Sequence, residues 1–197
     1  MSRRSSKQQY TNSFRVIAGK WRSRRLSFPD DVEALRPTTD RIRETLFNWL
    51  QGPIVGASCL DLYSGSGAFA FEAISRGAAS VTAIDLSGRA VAAIRDNCRL
   101  LECTDIDVVA ADCLQWLQQN GGKKKFDVVF LDPPYKLDLL PESLALLAKG
   151  GFVAPGGIVY LEADKPLDSV VPLEEWKFQK NKKAGQVFYG VCEPQIN

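Results

Sequence analysis

A short apolar run that stops at two consecutive prolines constrains this chain more than any other feature. It lies in Phe126–Tyr135, which reads FDVVFLDPPY. The segment Val128–Asp132 is apolar, partly β-branched and closed by an acid, as is typical of a strand buried on both faces of a parallel sheet. Because proline cannot continue a central strand, the following DPPY residues are predicted to lie at the carboxyl edge of the sheet. Open α/β sheets bind their ligands at this edge.

The DPPY turn (Asp132, Pro133, Pro134 and Tyr135) combines a carboxylate, backbone carbonyls and an aromatic ring in four residues. Each proline restricts the residue before it, so the carbonyls point in fixed directions. A nucleobase with an exocyclic amino group matches this set, because two N–H donors need two acceptors and the ring needs a stacking partner. The structural alternative is that Asp132 only caps a turn while Tyr135 only packs. We take the four residues as candidate catalytic residues.

Predicted strands and helices alternate through most of the chain. Strands are predicted at Cys59–Leu62, Val81–Asp85, Ile106–Ala110, Phe126–Asp132 and Gly156–Glu162. Helices are predicted from Thr38 or Thr39 to about Leu50, and at Gly67–Arg76, Arg89–Leu101, Asp112–Gln118 and Leu139–Lys149. A closing hairpin is predicted at Trp176–Lys180 and Gln186–Cys192. This order indicates a doubly wound α/β sheet with an antiparallel edge.

The N-terminal part of the chain is basic. Residues 1–29 contain eight Lys and Arg side chains and no acid, and alternation at Ser13–Gly19 and Arg24–Phe28 predicts a β-hairpin. A basic arm and hairpin (residues 1–36) ahead of a larger domain (residues 37–197) favours a nucleic-acid partner. The candidate nucleic-acid-binding residues are Arg15, Lys20, Arg22, Arg24, Arg25 and Arg41. Two later groups, read either as exposed charges or as further nucleic-acid contacts, are Lys123–Lys125 and Lys177, Lys180, Lys182 and Lys183.

The composition excludes several classes of protein. The chain has no histidine, and its five cysteines are scattered without a CxxC pair, which argues against a zinc site. The lack of histidine also excludes Ser-His-Asp and Cys-His hydrolases. No apolar run has the length of a membrane span, and the polar N-terminus lacks the apolar core of a signal peptide. We therefore expect a cytoplasmic protein without a metal.

A glycine-rich loop follows the first predicted strand of the sheet and opens the next helix. Gly65 and Gly67 permit a tight turn and close approach of a ligand to the backbone. Asp85 lies twenty residues after Gly65 at the end of the second strand, where an acid meets the hydroxyls of a ribose. Asp61 ends the strand before the glycines, and a carboxylate beside a pyrophosphate is unfavourable. This set favours S-adenosylmethionine, which carries a sulfonium and an ammonium group.

The segment after the third strand of the sheet is placed to read the adenine of such a cofactor. It consists of Ala111, Asp112 and Cys113. Asp112 is expected to accept a hydrogen bond from the adenine amino group. Its alternative role is to cap the next helix, and the two roles are compatible.

These motifs resemble those of Rossmann-like S-adenosylmethionine-dependent methyltransferases, in DLYSGSGAFAFEA, AIDLSGRA, AADCLQWL and FLDPPY. From about Arg15 to Val191 the chain resembles more narrowly the RsmD-type 16S ribosomal RNA guanine-N2 methyltransferases, in RVIAGKWRSRRL, RPTTDRIRETLFNWL and AGQVFYGV. The resemblance implies a seven-stranded methyltransferase sheet with a small N-terminal β-hairpin extension. It also implies methylation of the N2 amine of one guanine (a guanine 966-type site) in the RNA of the small ribosomal subunit, on an assembled or partly assembled particle.

The resemblance also implies roles for individual residues. The expected cofactor-binding residues are Arg36, Thr38, Asp61, Tyr63, Gly65, Gly67, Asp85, Leu86, Ala111, Asp112, Cys113 and Asp132. Many relatives carry Glu where this chain has Asp85, so the reach of this acid to a ribose is shorter. The expected partner is 16S ribosomal RNA or the small subunit, contacted by a monomer.

The expected mechanism is direct transfer from sulfonium to amine, with Asp132 and the Pro134 carbonyl orienting the amine and Tyr135 stacking on the base. No cysteine follows the prolines, which argues against a covalent cysteine mechanism. Three alternatives stay open at this point. The first is the same chemistry on adenine N6 or cytosine N4 in DNA or RNA. The second is a non-catalytic RNA-binding assembly factor, and the third is an NAD-dependent oxidoreductase, which Asp61 disfavours.

Overall fold

The computed structural model describes residues 10–29 and 39–195. Their strands are β1 (Asn12–Arg15), β2 (Arg25–Phe28), β3 (Ser58–Leu62), β4 (Ser80–Asp85), β5 (Ile106–Ala110), β6 (Phe126–Leu131), β7 (Val153–Ala163), β8 (Trp176–Ala184) and β9 (Val187–Pro194). Their α-helices are α1 (Asp40–Trp49), α2 (Ala68–Ser75), α3 (Gly88–Leu100), α4 (Cys113–Asn120) and α5 (Leu140–Gly150). None of these helices is both long enough and apolar enough to cross a membrane.

Seven of the strands form one sheet, in the order β5-β4-β3-β6-β7-β9-β8. The strands from β5 to β7 pair in parallel, and β9 pairs antiparallel with both β7 and β8. Successive crossovers run outward in opposite directions from β3 and β6, which creates the switch point where doubly wound sheets bind ligands. The predicted seven-stranded Rossmann-like sheet with an antiparallel edge is confirmed, and β1 and β2 form the predicted N-terminal hairpin.

β6 is the central strand of the sheet and is buried on both faces. Val128 and Phe130 pack into a cluster with α1 and α2, whereas Val129 and Leu131 pack into a cluster with α4 and α5. All four side chains are fully buried. The apolar run therefore folds as predicted, because neither face of this strand has contact with water.

The last hairpin is longer than the sequence pattern predicts. β8 continues through two lysines to Ala184 instead of ending at Lys180. Ala184 pairs with Val187, so only Gly185 and Gln186 form the turn, and Gly185 has φ 61°. The pattern missed this extension because lysines on an edge strand resemble a polar loop in sequence.

The N-terminal hairpin is bound to α2 through the buried carboxylate of Glu72. Its two oxygens accept hydrogen bonds from the backbone N–H groups of Ile17 (2.7 Å) and Ala18 (3.0 Å). Pairing between the hairpin strands continues only as far as Val16, whose N–H donates to the Arg24 carbonyl at 2.9 Å. The first strand was predicted to reach residue 19, but the next two N–H groups bond to Glu72 instead of to the opposite strand.

The turn of the hairpin lies directly against the end of α2. Gly19 has φ 82°, and a Cβ atom there would lie 1.7 Å from the Ser75 carbonyl oxygen. The same carbonyl accepts from Lys20 N at 2.8 Å, and Ser75 Oγ accepts from Trp21 N at 3.0 Å. Hairpin side chains such as Phe14 belong to the same hydrophobic cluster as α1 and α2. The predicted domain boundary between residues 36 and 37 lies outside the described residues.

Candidate active site

Four segments singled out in the sequence meet at the carboxyl edge of the sheet. β3 and β6 are neighbours, with Leu62 paired to Leu131, so the glycine-rich loop and the DPPY turn leave adjacent strands. β4 and β5 are also neighbours, with Asp85 paired to Ala110. Asp85 and residues 111–113 therefore follow along the same edge. The structure brings together the predicted site residues that lie in these four segments.

The glycine-rich loop uses three residues with left-handed backbone conformation. Tyr63 has φ 58°, Gly65 has φ 52° and Gly67 has φ 77°. A Cβ atom on Gly67 would lie 3.0 Å from a side-chain carbon of Ile94 and 3.1 Å from the ring of Phe71. Both the conformation and the crowding therefore require glycine at position 67.

Tyr63 is the one residue of these three that has a side chain, and two contacts hold it. Its backbone N–H donates to Cys113 Sγ at 3.3 Å, and its hydroxyl bonds with Ser143 Oγ of α5 at 2.8 Å. Burial raises the pKa of the Cys113 thiol to about 12, so the thiol stays protonated. The Cys113 side chain thus supports the loop by accepting from its backbone. Left-handed backbone at a side-chain-bearing residue is typical of a functional site.

Asp85 connects the glycine-rich loop to the start of α3. Its Oδ2 accepts from Gly65 N at 2.7 Å and its Oδ1 accepts from Ser87 N at 2.8 Å. Burial raises the pKa of Asp85, and these two hydrogen bonds partly offset the rise. Each carboxylate oxygen retains a lone pair that can accept from a hydroxyl group. A short acid at this position can therefore hold the loop and still receive a ribose.

Asp61 is buried with one oxygen that has no hydrogen-bond partner in the described part of the chain. The residue is 1% exposed, and the atom concerned is Oδ2. Burial raises the pKa of Asp61 to about 8, which the nearby Asp85 charge reinforces and the Ala70 N–H opposes. A buried carboxylate oxygen without a donor is costly, so it indicates a site for an N–H group of a ligand.

Three further cofactor candidates surround the ends of β4 and β5. Asp112 is the N-cap of α4, with Oδ1 accepting from Gln115 N at 2.9 Å, so the capping role is present. Ala111 N donates to the Asp85 carbonyl at 3.1 Å. Leu86 is 73% exposed, although it is a large apolar side chain. An exposed apolar residue at a ligand-binding edge offers a packing surface for a planar group.

The DPPY turn directly follows β6. Asp132 is half-buried, Pro133 is buried and the Tyr135 ring is 37% exposed. The Pro134 carbonyl accepts from Leu137 N at 3.0 Å in a short 3-10 turn. One of its two lone pairs is thus occupied, and the other can still accept from a target amine. The carbonyl of Pro133, fixed between two proline rings, is a second candidate.

Glu162, a residue that sequence reasoning missed, lies beside this turn. It is 2% exposed and follows Leu161, which pairs with Leu131 of β6. Its carboxylate accepts from the hydroxyl of Tyr135 at 3.3 Å and from the hydroxyl of Tyr160. Burial and the nearby acids raise the pKa of Tyr135, so its hydroxyl remains a donor. The available signal was an acid that ends an apolar strand, as Asp132 also does.

The predicted RNA-binding residues are exposed. Arg22, Arg24 and Arg25 are free of ion pairs within the described residues, whereas Arg15 lies 3.6 Å from Asp40. The remaining two are Lys20, 3.7 Å from a carboxylate oxygen of Asp105, and Arg41 on α1. Arg36 and Thr38, predicted beside the cofactor, lie outside the described residues. Thr39 caps α1, with Oγ1 accepting from Ile42 N at 3.4 Å.

Comparison with known proteins identifies the family. The family model described as conserved hypothetical protein 95 matches residues 14–193. Ribosomal RNA small subunit methyltransferase D of Haemophilus influenzae is 39% identical over 177 residues, which make up 89% of this chain and 91% of the relative. The chain belongs to the ribosomal RNA small subunit methyltransferase D family.

A curated relative and a solved structure, both from Escherichia coli, agree with this assignment. The family member of strain K12 is 39% identical over 179 residues, covering 91% of this chain and 89% of that protein. The solved structure of the protein yhhF, described as a methyltransferase, superposes with a TM-score of 0.84 and 38% identity, covering 94% of this chain and all of that one. The predicted family and the predicted methyltransferase class are confirmed.

Proposed function

We propose that this protein transfers a methyl group from S-adenosylmethionine to the N2 amine of one guanine, at a guanine 966-type site, in 16S ribosomal RNA. One observation carries the proposal. The acids and glycines of a nucleoside site follow β3 and β4, and a DPPY turn follows β6, the neighbour of β3. The names of the family relatives support a ribosomal RNA substrate in the small subunit. An enzyme that acts on this substrate is expected to work in the cytoplasm.

The residues of the nucleoside site fit S-adenosylmethionine. The partnerless Oδ2 of Asp61 matches a cationic amino group, because a buried carboxylate needs a charged donor. Asp85 has lone pairs that can accept from the ribose hydroxyls. The exposed Leu86 can pack on the adenine ring, and Asp112 can accept from the adenine amino group. When bound, this cofactor supplies a methyl group that is already activated on its sulfonium sulfur.

The DPPY turn would hold the guanine. Asp132 and the carbonyl of Pro134, or of its neighbour Pro133, accept hydrogen bonds from the target amine, so its nitrogen lone pair points at the methyl donor. The partly exposed ring of Tyr135 stacks on the base after the base has turned out of its helix. Since the donor is already activated, orientation and exclusion of water are the main contributions of the protein.

The hairpin would bind the RNA backbone through three exposed arginines. None of Arg22, Arg24 and Arg25 forms an ion pair with an acid among the described residues. Replacing all three with Gln should weaken RNA binding and lower the slope of log affinity against log salt by about 2, since each phosphate contact contributes about 0.7 to 0.9. An unchanged slope in filter binding would contradict this role.

The main test uses tritiated S-adenosylmethionine with small subunits and with naked 16S RNA, both from cells that lack this protein. The labelled nucleoside is identified after digestion. N2-methylguanosine at one site supports the proposal, and the better acceptor identifies the assembly state. Label on adenine or cytosine would show that the same chemistry acts on a different base. If no nucleic acid is labelled while the protein still binds the cofactor, the result favours the non-catalytic assembly factor.

A second test separates the target site from the cofactor site. Asp132→Ala should reduce transfer by at least about a thousandfold and cofactor affinity by at most about tenfold, because the proposed bond from the target amine to Asp132 matters more than its expected contact with the cofactor. The matched control is Asp107→Ala, an exposed acid near the start of β5 and so at the opposite edge of the sheet, which should behave as wild type. Normal turnover of the Asp132→Ala variant would refute the assignment.

A further inference from the structure

The end of β8 lies at the same edge of the sheet as the DPPY turn. Lys182 pairs with Tyr189 of β9, which pairs with Glu162 of β7. Glu162 and Asp132 occupy equivalent positions, because each follows one member of the Leu161–Leu131 pair. Three strand spacings of roughly 4.8 Å separate β6 from β8, so the Lys182 backbone lies about 14 Å from the DPPY turn.

Three lysines at this end of β8 are exposed and have charges that the described chain does not neutralise. They are Lys180, Lys182 and Lys183, and none forms an ion pair within the described residues. Aromatic rings hold two of them in place, since the Lys182 amine lies 5.6 Å from the Trp49 ring and the Lys183 amine 4.7 Å from the Phe188 ring. Trp49 in turn stacks on Tyr189.

The other lysines of the sheet lie elsewhere and are used differently. Lys123–Lys125 directly precede β6, which places them at the amino edge of the parallel strands. Their amines donate within the chain, from Lys123 to the Gln119 carbonyl and from Lys124 to Thr82 Oγ1. Lys177 lies near the start of β8, opposite Glu193 of β9 in the strand register. These four lysines therefore lie toward the amino edge of the sheet, away from the active site.

We propose that Lys180, Lys182 and Lys183 form a second RNA-binding surface, which contacts phosphates that flank the target guanine. The inference rests on the proposed function, because it takes RNA as the substrate bound at the DPPY turn. Lysines also prevent unwanted pairing at an exposed sheet edge. That role alone does not explain why three of the four lysines of β8 lie between its midpoint and the end nearest the active site.

The test compares two triple variants that remove the same charge from opposite edges. One replaces Lys180, Lys182 and Lys183 with Gln, and the other replaces Lys123, Lys125 and Lys177 with Gln. Binding of naked 16S RNA, from cells that lack the protein, is measured by fluorescence anisotropy at several salt concentrations. We expect the slope of log affinity against log salt to fall by about 2 for the first variant and by less than 0.5 for the second.

Steady-state kinetics and folding provide the second readout. The first variant should raise KM for the RNA at least fivefold, with kcat, cofactor affinity and melting temperature unchanged. Equal slopes for the two variants, or a first-variant slope like that of wild type, would overturn the inference. A wild-type protein that binds this RNA without salt dependence, or methylates another substrate, would instead overturn the proposed function, because that result does not depend on either variant.

Discussion

Asp61 and Glu72 are buried acids eleven positions apart that differ in how their oxygens are used. Glu72 accepts from two backbone N–H groups of the hairpin and from Arg76 Nε at 2.6 Å. Asp61 retains an oxygen without a partner in the described chain, and burial raises its pKa to about 8. The difference teaches that a fully satisfied buried acid stabilises the fold, whereas an incompletely satisfied one indicates where a ligand donates.

The largest effect is expected at the satisfied acid. Glu72→Ala leaves two backbone donors and Arg76 without their acceptor, so we expect a loss of about 3 to 5 kcal/mol in the free energy of unfolding. Urea denaturation measures the loss, and hydrogen exchange at residues 17 and 18 should accelerate. The control is Glu44→Ala, an exposed acid on α1. A loss below about 1 kcal/mol would remove the contrast between the two acids.

The next effect concerns the acid with the unused oxygen. Asp61→Asn should lower cofactor affinity at least tenfold, because an amide cannot supply the negative charge for an ammonium group. Stability at neutral pH should stay constant or rise, since Asp61 must take up a proton on folding whereas the amide is neutral in both states. Isothermal titration and thermal melting measure the two quantities, and exposed Asp107→Asn is the control. Normal cofactor binding by the Asp61→Asn variant would show that the ligand donates elsewhere.

The dependence of stability on pH provides a finer comparison. Unfolded Asp61 loses its proton near its ordinary pKa of 3.8, and folded Asp61 keeps it up to about 8. The folded state therefore binds one more proton between these values, and its stability falls as pH rises through this window, by at most about 1.4 kcal/mol per pH unit. Asp61→Asn should make urea-unfolding free energies less dependent on pH between 5 and 8. An identical pH profile in wild type and variant would contradict the raised pKa.

The smallest effects are expected from removing the two tyrosine hydroxyls that donate to the Glu162 carboxylate. Tyr135→Phe retains the ring but removes one of these hydrogen bonds, so kcat/KM for RNA should fall about threefold as the ring loses its fixed orientation. Tyr160→Phe removes the other bond deep in the core, so it should cost about 1 kcal/mol in stability and leave kcat/KM unchanged. Equal kinetic effects in the two variants would place Glu162 with the purely structural acids.

Local patterns in the sequence predicted the features that depend on neighbouring residues. The run at Val128–Asp132 predicted a central strand, and the structure buries that strand on both faces. Gly65 and Gly67 predicted a tight loop, and both have left-handed backbone conformation there. Partners far apart in sequence could not be predicted in this way. The Glu72 carboxylate bonds to N–H groups more than fifty positions earlier. Likewise, the role of Glu162 depends on the register between β6 and β7.

The short length of α2 has a consequence for any attempt to exchange parts of this protein. Its eight residues, a rise of about 12 Å, begin at the glycine-rich loop and end at Ser75, against which Gly19 of the hairpin lies. A hairpin transplanted from a relative would need the matching Glu72 and Ser75 surface. Changing that surface would in turn disturb the helix that begins at the glycine-rich loop. The hairpin and the glycine-rich loop can therefore be exchanged only together, as a single unit.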